Sequence, residues 1–235
     1  MADDLARWPG AERRRPPLSS PTWVVRIALA RWLEEQATEL AKGEPVRILD
    51  VGCGVKPYYP FFAGVASEYL GVDVVENPAA ELLGPVEALP VEDASFDIVL
   101  CTQVLEHCDD PAQAVRELRR VTRSGGRVLA STHGVQVYYP LPGDYWRWTH
   151  TGLRKLFEEN AEWASLSVAP AAGTASALAM LLGTYFEIAL RRTVLARPPV
   201  SLLNRIGRAL DERSSRLSEP LPGSLIPNFH VVAVP

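Results

Sequence analysis

Cysteine and lysine are scarce in this chain. The three cysteines, Cys53, Cys101 and Cys108, are an odd number and lack the paired spacing of a disulfide scaffold. A reduced, intracellular protein is the simplest reading, and a cytoplasmic location is expected. Together with His107 the cysteines fit no common zinc module, so no metal is expected. Lysine occurs only at Lys42, Lys56 and Lys155, and the remaining basic groups are arginine. With a net charge of -4 there is no excess of positive charge, which argues against general nucleic-acid binding. The start, Met1-Ala2-Asp3-Asp4, has no basic region ahead of an apolar core, so no signal peptide is expected. Internal repeats are absent.

Long apolar runs are also missing, with one exception. Between Ala171 and Leu190 the only ionisable groups are Tyr185 and Glu187, and the run is about long enough to span a bilayer. Gly173, Gly183, the small residues and Glu187 favour a buried or interfacial helix. The alternatives are a membrane span or a peripheral contact through residues 171–197, where Arg191, Arg192 and Arg197 follow.

What is present is the composition of a globular protein, 47% hydrophobic and 22% charged. The chain is organised around Val46-Arg47-Ile48-Leu49-Asp50-Val51-Gly52-Cys53-Gly54. A short apolar run ending in an acid and a Gly-Cys-Gly turn reads as a buried parallel strand with a ligand site at its carboxyl end. Glycine there permits positive φ and close approach to the backbone.

Taken in order, residues 1–20 read as a loose polar arm and 21–235 as one domain. A helix is expected over 21–42, with Thr22 as cap and Gly43 as stop. A short helix to Ala66 follows the glycine turn, then a strand Glu68 to Val74 ending near Asp73. A short third strand is expected near Ala80 to Leu83, and a central strand over Ser95 to Cys101. Asp110 caps a helix with Pro111 at its first position, and Gly125-Gly126 stops it. A strand over Arg127 to Thr132, an aromatic loop Gly134 to Trp148, a helix Thr151 to Asn160 and a strand Trp163 to Val168 follow. Helices over Ala175 to Val194 and Leu202 to Arg213, joined by Arg197-Pro198-Pro199, precede a last strand, Asn228 to Val234. The alternation predicts a mainly parallel sheet with right-handed crossovers.

Four stretches together resemble the class I S-adenosylmethionine-dependent methyltransferases. They are Ile48 to Gly54, Tyr69-Leu70-Gly71-Val72-Asp73, Glu87 to Val99, and Leu105-Glu106-His107 with Asp110-Pro111 and Ser124-Gly125-Gly126-Arg127. A fifth, Gly143-Asp144-Tyr145-Trp146-Arg147-Trp148-Thr149, resembles a bacterial subgroup, some of whose members are associated with polysaccharide or glycolipid synthesis. The resemblance implies a Rossmann-like fold: a seven-stranded, mainly parallel sheet with an antiparallel last strand, helices on both faces, and a helical insertion at about 171–218. It implies S-adenosylmethionine as cofactor and methyl transfer to an O or N atom of a small molecule or glycan. The alternatives are a non-catalytic cofactor-binding or membrane-docked protein, and an NAD-binding oxidoreductase. The missing Gly-x-Gly-x-x-Gly spacing argues against the last.

By the same resemblance, Asp50, Gly52, Cys53 and Gly54 hold the amino-acid end of the cofactor. Asp73 and Val74 flank its ribose, Val86 and Glu87 meet the adenine, and Gln103 closes the pocket. Lys56 stands where the family often has a third glycine, and Pro85 where it often has an Asp. His107 and His133 are candidate proton acceptors, since histidine titrates near neutrality. Tyr145 and Arg147 sit in the loop expected over the acceptor. Arg147 is read either as a bidentate anion-binding group or as half of an internal pair with Asp144. A homodimer is a further expectation.

Overall fold

The computed structural model describes Leu5 and residues 7–140 and 143–235, so positions 1–4 and 6 of the expected arm, and 141–142 of the aromatic loop, lie outside the described residues. Seven strands form one sheet: β1 Val46–Val51, β2 Ala66–Asp73, β3 Leu82–Leu83, β4 Phe96–Thr102, β5 Thr122–His133, β6 Ser165–Pro170 and β7 Asn228–Val234. Their order is β3-β2-β1-β4-β5-β7-β6, and β7 alone runs antiparallel to its neighbours. β1 and β4 lie side by side, yet the chain leaves them toward opposite edges, β2 on one side and β5 on the other. Ligands bind at such a switch point, outside the carboxyl ends of the strands.

The central strands carry apolar runs through their middles because both faces are covered. Leu49, Val99, Val128 and Val231 pack under helices α2 Pro111–Val121 and α3 His150–Asn160. Ile48, Leu100 and Leu129 pack against α1, Trp23–Leu40, through Leu29 and Leu33. Asp110 caps α2 as expected, its carboxylate accepting from Gln113 N at 2.9 Å with Pro111 first in the helix. Thr149 caps α3 through Gly152 N at 3.0 Å.

Several expected boundaries move. Thr22 holds the cap position of α1 without a side-chain cap bond. The helix after the glycine turn is one turn, Tyr59–Phe62, because Val65 N already bonds back to Phe62 O and β2 begins at Ala66. Gly125 and Gly126 do not stop α2, which ends at Val121 and runs straight into β5. Gly126 lies where a Cβ would sit 2.6 Å from the Asp97 carbonyl oxygen on the neighbouring strand segment, so only glycine fits there. The two prolines do not link helices either. Pro198 and Pro199 occupy the first turn of α5 Arg197–Arg213, where proline has no amide bond to lose. α4, Thr174–Ala189, packs antiparallel against α5, and Gly207 meets Ala175, Ser176 and Ala179. Among the described residues no helix is long and apolar enough to cross a membrane.

If Gly126 serves strand packing, Gly126→Ala must shift backbone and costs about 1–3 kcal/mol. Thermal unfolding should show a clear fall in midpoint; an unchanged midpoint would contradict the close packing of Gly126 against Asp97.

Candidate functional site

The carboxyl ends of β1, β2 and β4 open into a cleft of about 510 Å³. That is within the range of small-molecule and cofactor pockets. β1 breaks at Gly52 (φ 64°) and Gly54 (φ 50°), a left-handed conformation that side chains avoid. The turn is fastened to β2: Gly52 N and Cys53 N both donate to Val72 O, at 2.8 and 3.2 Å. Gly54 N donates to Asp73 Oδ2 at 2.8 Å. A Cβ on Gly52 would lie 2.5 Å from Val104, whereas Gly54 faces open space.

Nine expected site residues line this cleft: Gly52, Gly54, Asp73, Val74, Val86, Glu87, Gln103, His107 and Tyr145. Gln103 has φ 58°, unusual for a side-chain-bearing residue. Its amide holds that geometry by donating to Ser131 Oγ at 2.9 Å and Asn228 Oδ1 at 3.1 Å. The Val86–Ala88 turn is held from behind. Glu117 accepts from Leu89 N at 2.8 Å, and Arg120 donates to Leu89 O and pairs with Asp93. Glu87 lines the cleft but spends one carboxylate oxygen on Asp109 N at 3.0 Å. His107 hydrogen-bonds Gly143 O through Nδ1.

Four expected residues stand off the cleft lining. Asp50 is buried and accepts from Tyr69 OH at 2.7 Å; burial pushes its carboxyl up to about 7, against the pull of that bond. Cys53 is buried against Gly71. His133 is buried with Nε2 3.1 Å from Glu106 Oε1, and burial pulls it down to about 3, so it stays neutral. Arg147 does not offer its fork to a ligand. It grips Asp144 at 2.5 and 2.6 Å and also donates to the carbonyls of Val137 and Trp146. The internal pair is the arrangement observed, and Asp144 is held near 2, first by Arg147 and against its own desolvation. This pair shapes the aromatic loop, whose Tyr145 N and Trp146 N hang on Glu106 O at 3.0 and 3.2 Å.

Three participants were not expected from the sequence. Arg13 lines the cleft, although the arm was read as loose. Lys56 adopts φ 49°, so the glycine-like backbone is retained with a side chain attached. That side chain is buried, and its ammonium sits 2.5 and 2.6 Å from the Glu81 carboxylate oxygens. Glu106 is wholly buried beneath the cleft, accepts from Thr132 Oγ1 at 2.8 Å, and is pushed up to about 7 by burial. Its only sequence signal was its place in Leu105-Glu106-His107. Among the described residues no group of three or more His, Cys, Asp or Glu is arranged to hold a metal.

The strand order, with β7 antiparallel to its neighbours, is that of a Rossmann-like fold. The methyltransferase domain family matches residues 49–130. The chain is similar to a malonyl-[acyl-carrier protein] O-methyltransferase of Erwinia pyrifoliae, 37% identical over 44% of this chain and 44% of that protein. It is also similar to a ubiquinone biosynthesis O-methyltransferase of Bordetella avium, 32% identical over 54% of this chain and 56% of that one. The match thus spans about half the length of these curated relatives. A solved S-adenosylmethionine-dependent methyltransferase from Archaeoglobus fulgidus shares the fold at 14% identity, with TM-score 0.55 over 88% of this chain and 93% of that one.

The buried Glu106 fixes a pH dependence. Its carboxyl titrates higher in the folded protein than in the unfolded chain, so the folded state binds the extra proton. Its favourable contribution is therefore complete below the unfolded value and is lost as pH rises through about 7. Glu106→Gln should flatten that part of the profile. In denaturant titrations the wild type minus Glu106→Gln stability difference should become less favourable to wild type from pH 5 to 8; a constant difference would contradict the assignment.

Proposed function

We propose that this chain is an S-adenosylmethionine-dependent methyltransferase acting on an oxygen or nitrogen of a small molecule or glycan. The observation that carries the reading is the convergence, on one cleft at the β1/β4 switch point, of the glycine turn, Asp73 and the Val86–Ala88 turn. The names of both curated relatives favour oxygen as the acceptor atom.

The residues present fit such a cofactor. The open backbone at Gly54 admits its amino-acid end; Asp50, buried off the lining and bonded to Tyr69, would reach the ammonium only through water. Asp73, whose carboxylate already accepts backbone amides, suits ribose hydroxyls; Val86 and Glu87 border the adenine position. When bound, the cofactor supplies a methyl group already activated on a sulfonium. The protein's task is then to align the acceptor and exclude water. His107 and Tyr145 line the cleft beside Tyr139 and Asp109, and the His107 ring is the candidate to take a proton from the acceptor. His133 and Arg147 act through position: one lies against Glu106, the other braces the aromatic loop.

Calorimetry with S-adenosylmethionine, S-adenosylhomocysteine and NAD tests the reading. Binding of the first two is expected, and Asp73→Ala should weaken it at least about tenfold, the scale of a lost charged hydrogen bond. Binding of NAD alone would refute it.

A second reading concerns location, and an exposed surface favours it. Leu178, Leu181, Leu182, Tyr185 and Ile188 form an outward stripe along α4 at helical spacing, followed by exposed Val194 and Leu195. Residues 171–213 carry six arginines against three acids in a chain whose net charge is -4. We infer that this hairpin docks on an anionic lipid surface. A second copy would bring arginine against arginine, which disfavours the dimer through this face. Co-sedimentation with phosphatidylglycerol vesicles is expected, reduced by Leu182→Asp/Ile188→Asp and by salt. Absence from the pellet, with a dimer in ultracentrifugation, would favour self-association instead.

A further inference from the structure

The segment before α1 is fastened to the ligand-binding turn. Trp8 Nε1 donates to Lys56 O at 2.9 Å, and the indole lies 4.6 Å from the Tyr59 ring. Arg14 is 9% exposed, and its guanidinium donates to three carbonyls: Trp8 at 2.8 Å, Pro9 at 2.9 Å, and Pro57. Gly10, at φ 73°, lies so close to Pro57 that a Cβ would stand 2.6 Å from the proline ring. Residues 8–14 are therefore a strap over the loop that carries Gly52 and Gly54. The expected loose arm is held here because donors of the buried Arg14 and the half-buried Trp8 find carbonyl acceptors.

The strap brings Arg13 to the cleft wall. Among the described residues Arg13 is the only Lys or Arg lining the cleft, whereas Asp73, Glu87 and Asp109 make the rest of the lining acidic. The strap's contacts with Lys56 and Pro57 set Arg13 at the glycine-turn end of the cleft. A cation there is complementary to a carboxylate. The other end, without a cation, suits the neutral ribose and adenine.

We propose that Arg13 binds the carboxylate of the cofactor's amino-acid end, and that the Trp8–Arg14 strap exists to hold it there. The proposal rests on the S-adenosylmethionine reading of the cleft. A guanidinium–carboxylate contact is a charge-assisted bond and carries geometric selectivity. It lets the cleft discriminate between ligands with and without the amino-acid end.

The test is calorimetry on the full chain with two probes, S-adenosylhomocysteine and 5′-methylthioadenosine, which lacks the amino-acid end. Arg13 is exposed, so Arg13→Ala should keep the wild-type unfolding midpoint. It should weaken S-adenosylhomocysteine about tenfold or more, the loss of one charged hydrogen bond. The 5′-methylthioadenosine affinity should stay within about twofold, and Arg13→Lys should fall between. Unchanged S-adenosylhomocysteine binding in Arg13→Ala would overturn the proposal while leaving the cofactor reading intact. Equal loss for both probes would also overturn it, because Arg13 would then act on cleft shape. Failure of the wild type to bind either probe would bring down the cofactor reading and this proposal with it.

Discussion

The hydrogen bond from Gly54 N to Asp73 Oδ2 joins the two halves of the site. It ties the turn after β1 to the end of β2, and the neighbouring amides of Gly52 and Cys53 bond to Val72 O in support. These bonds require left-handed backbone at Gly52 and Gly54, which in turn leaves room for a ligand against the main chain. Asp73 is thus a structural acceptor and the candidate ribose ligand at once. A carboxylate can serve both, since it has about four lone-pair sites.

Around that bond, charged side chains are used as fasteners. Lys56 at φ 49° sends its ammonium under the turn to Glu81, which also accepts from Gly71 N at 2.6 Å. Burial alone would raise the Glu81 carboxyl, but the Lys56 and Gly71 bonds outweigh it and hold it down. Glu117 and Arg120 lock the turn bearing Val86 and Glu87 from the helix side. Arg14 locks the strap. Each pair is buried or half-buried, so removing one partner strands a desolvated group. These fasteners brace the glycine turn and the Val86–Ala88 turn that border the cleft. Its acceptor side is bounded instead by a loop held through the Asp144–Arg147 pair and the Glu106 carbonyl.

Much of the fold was legible because strands buried on both faces leave continuous apolar runs. β1 and β7 have the expected bounds, and the antiparallel last strand was expected from the family resemblance. A capping residue also spoke locally: Asp110 accepts from the Gln113 amide, three residues on. Gly125-Gly126 and Pro198-Pro199 misled for one reason. Glycine and proline mark positions where ordinary residues fail, without saying whether the obstacle is a turn, a neighbouring strand or a helix start.

The sequence by itself determined the parallel sheet, the glycine turn at its switch point and the acid that follows about twenty residues later. Those depend on neighbours in the chain, on alternation and spacing that local chemistry enforces. Only the tertiary structure decided which polar groups face the cleft. Arg147 turned to Asp144, His133 to Glu106 and Asp50 to Tyr69, while Arg13 came in from a segment that looked free. A side chain's partner is set by burial and distance between remote segments, and a buried charge goes wherever it finds a counter-charge or a carbonyl.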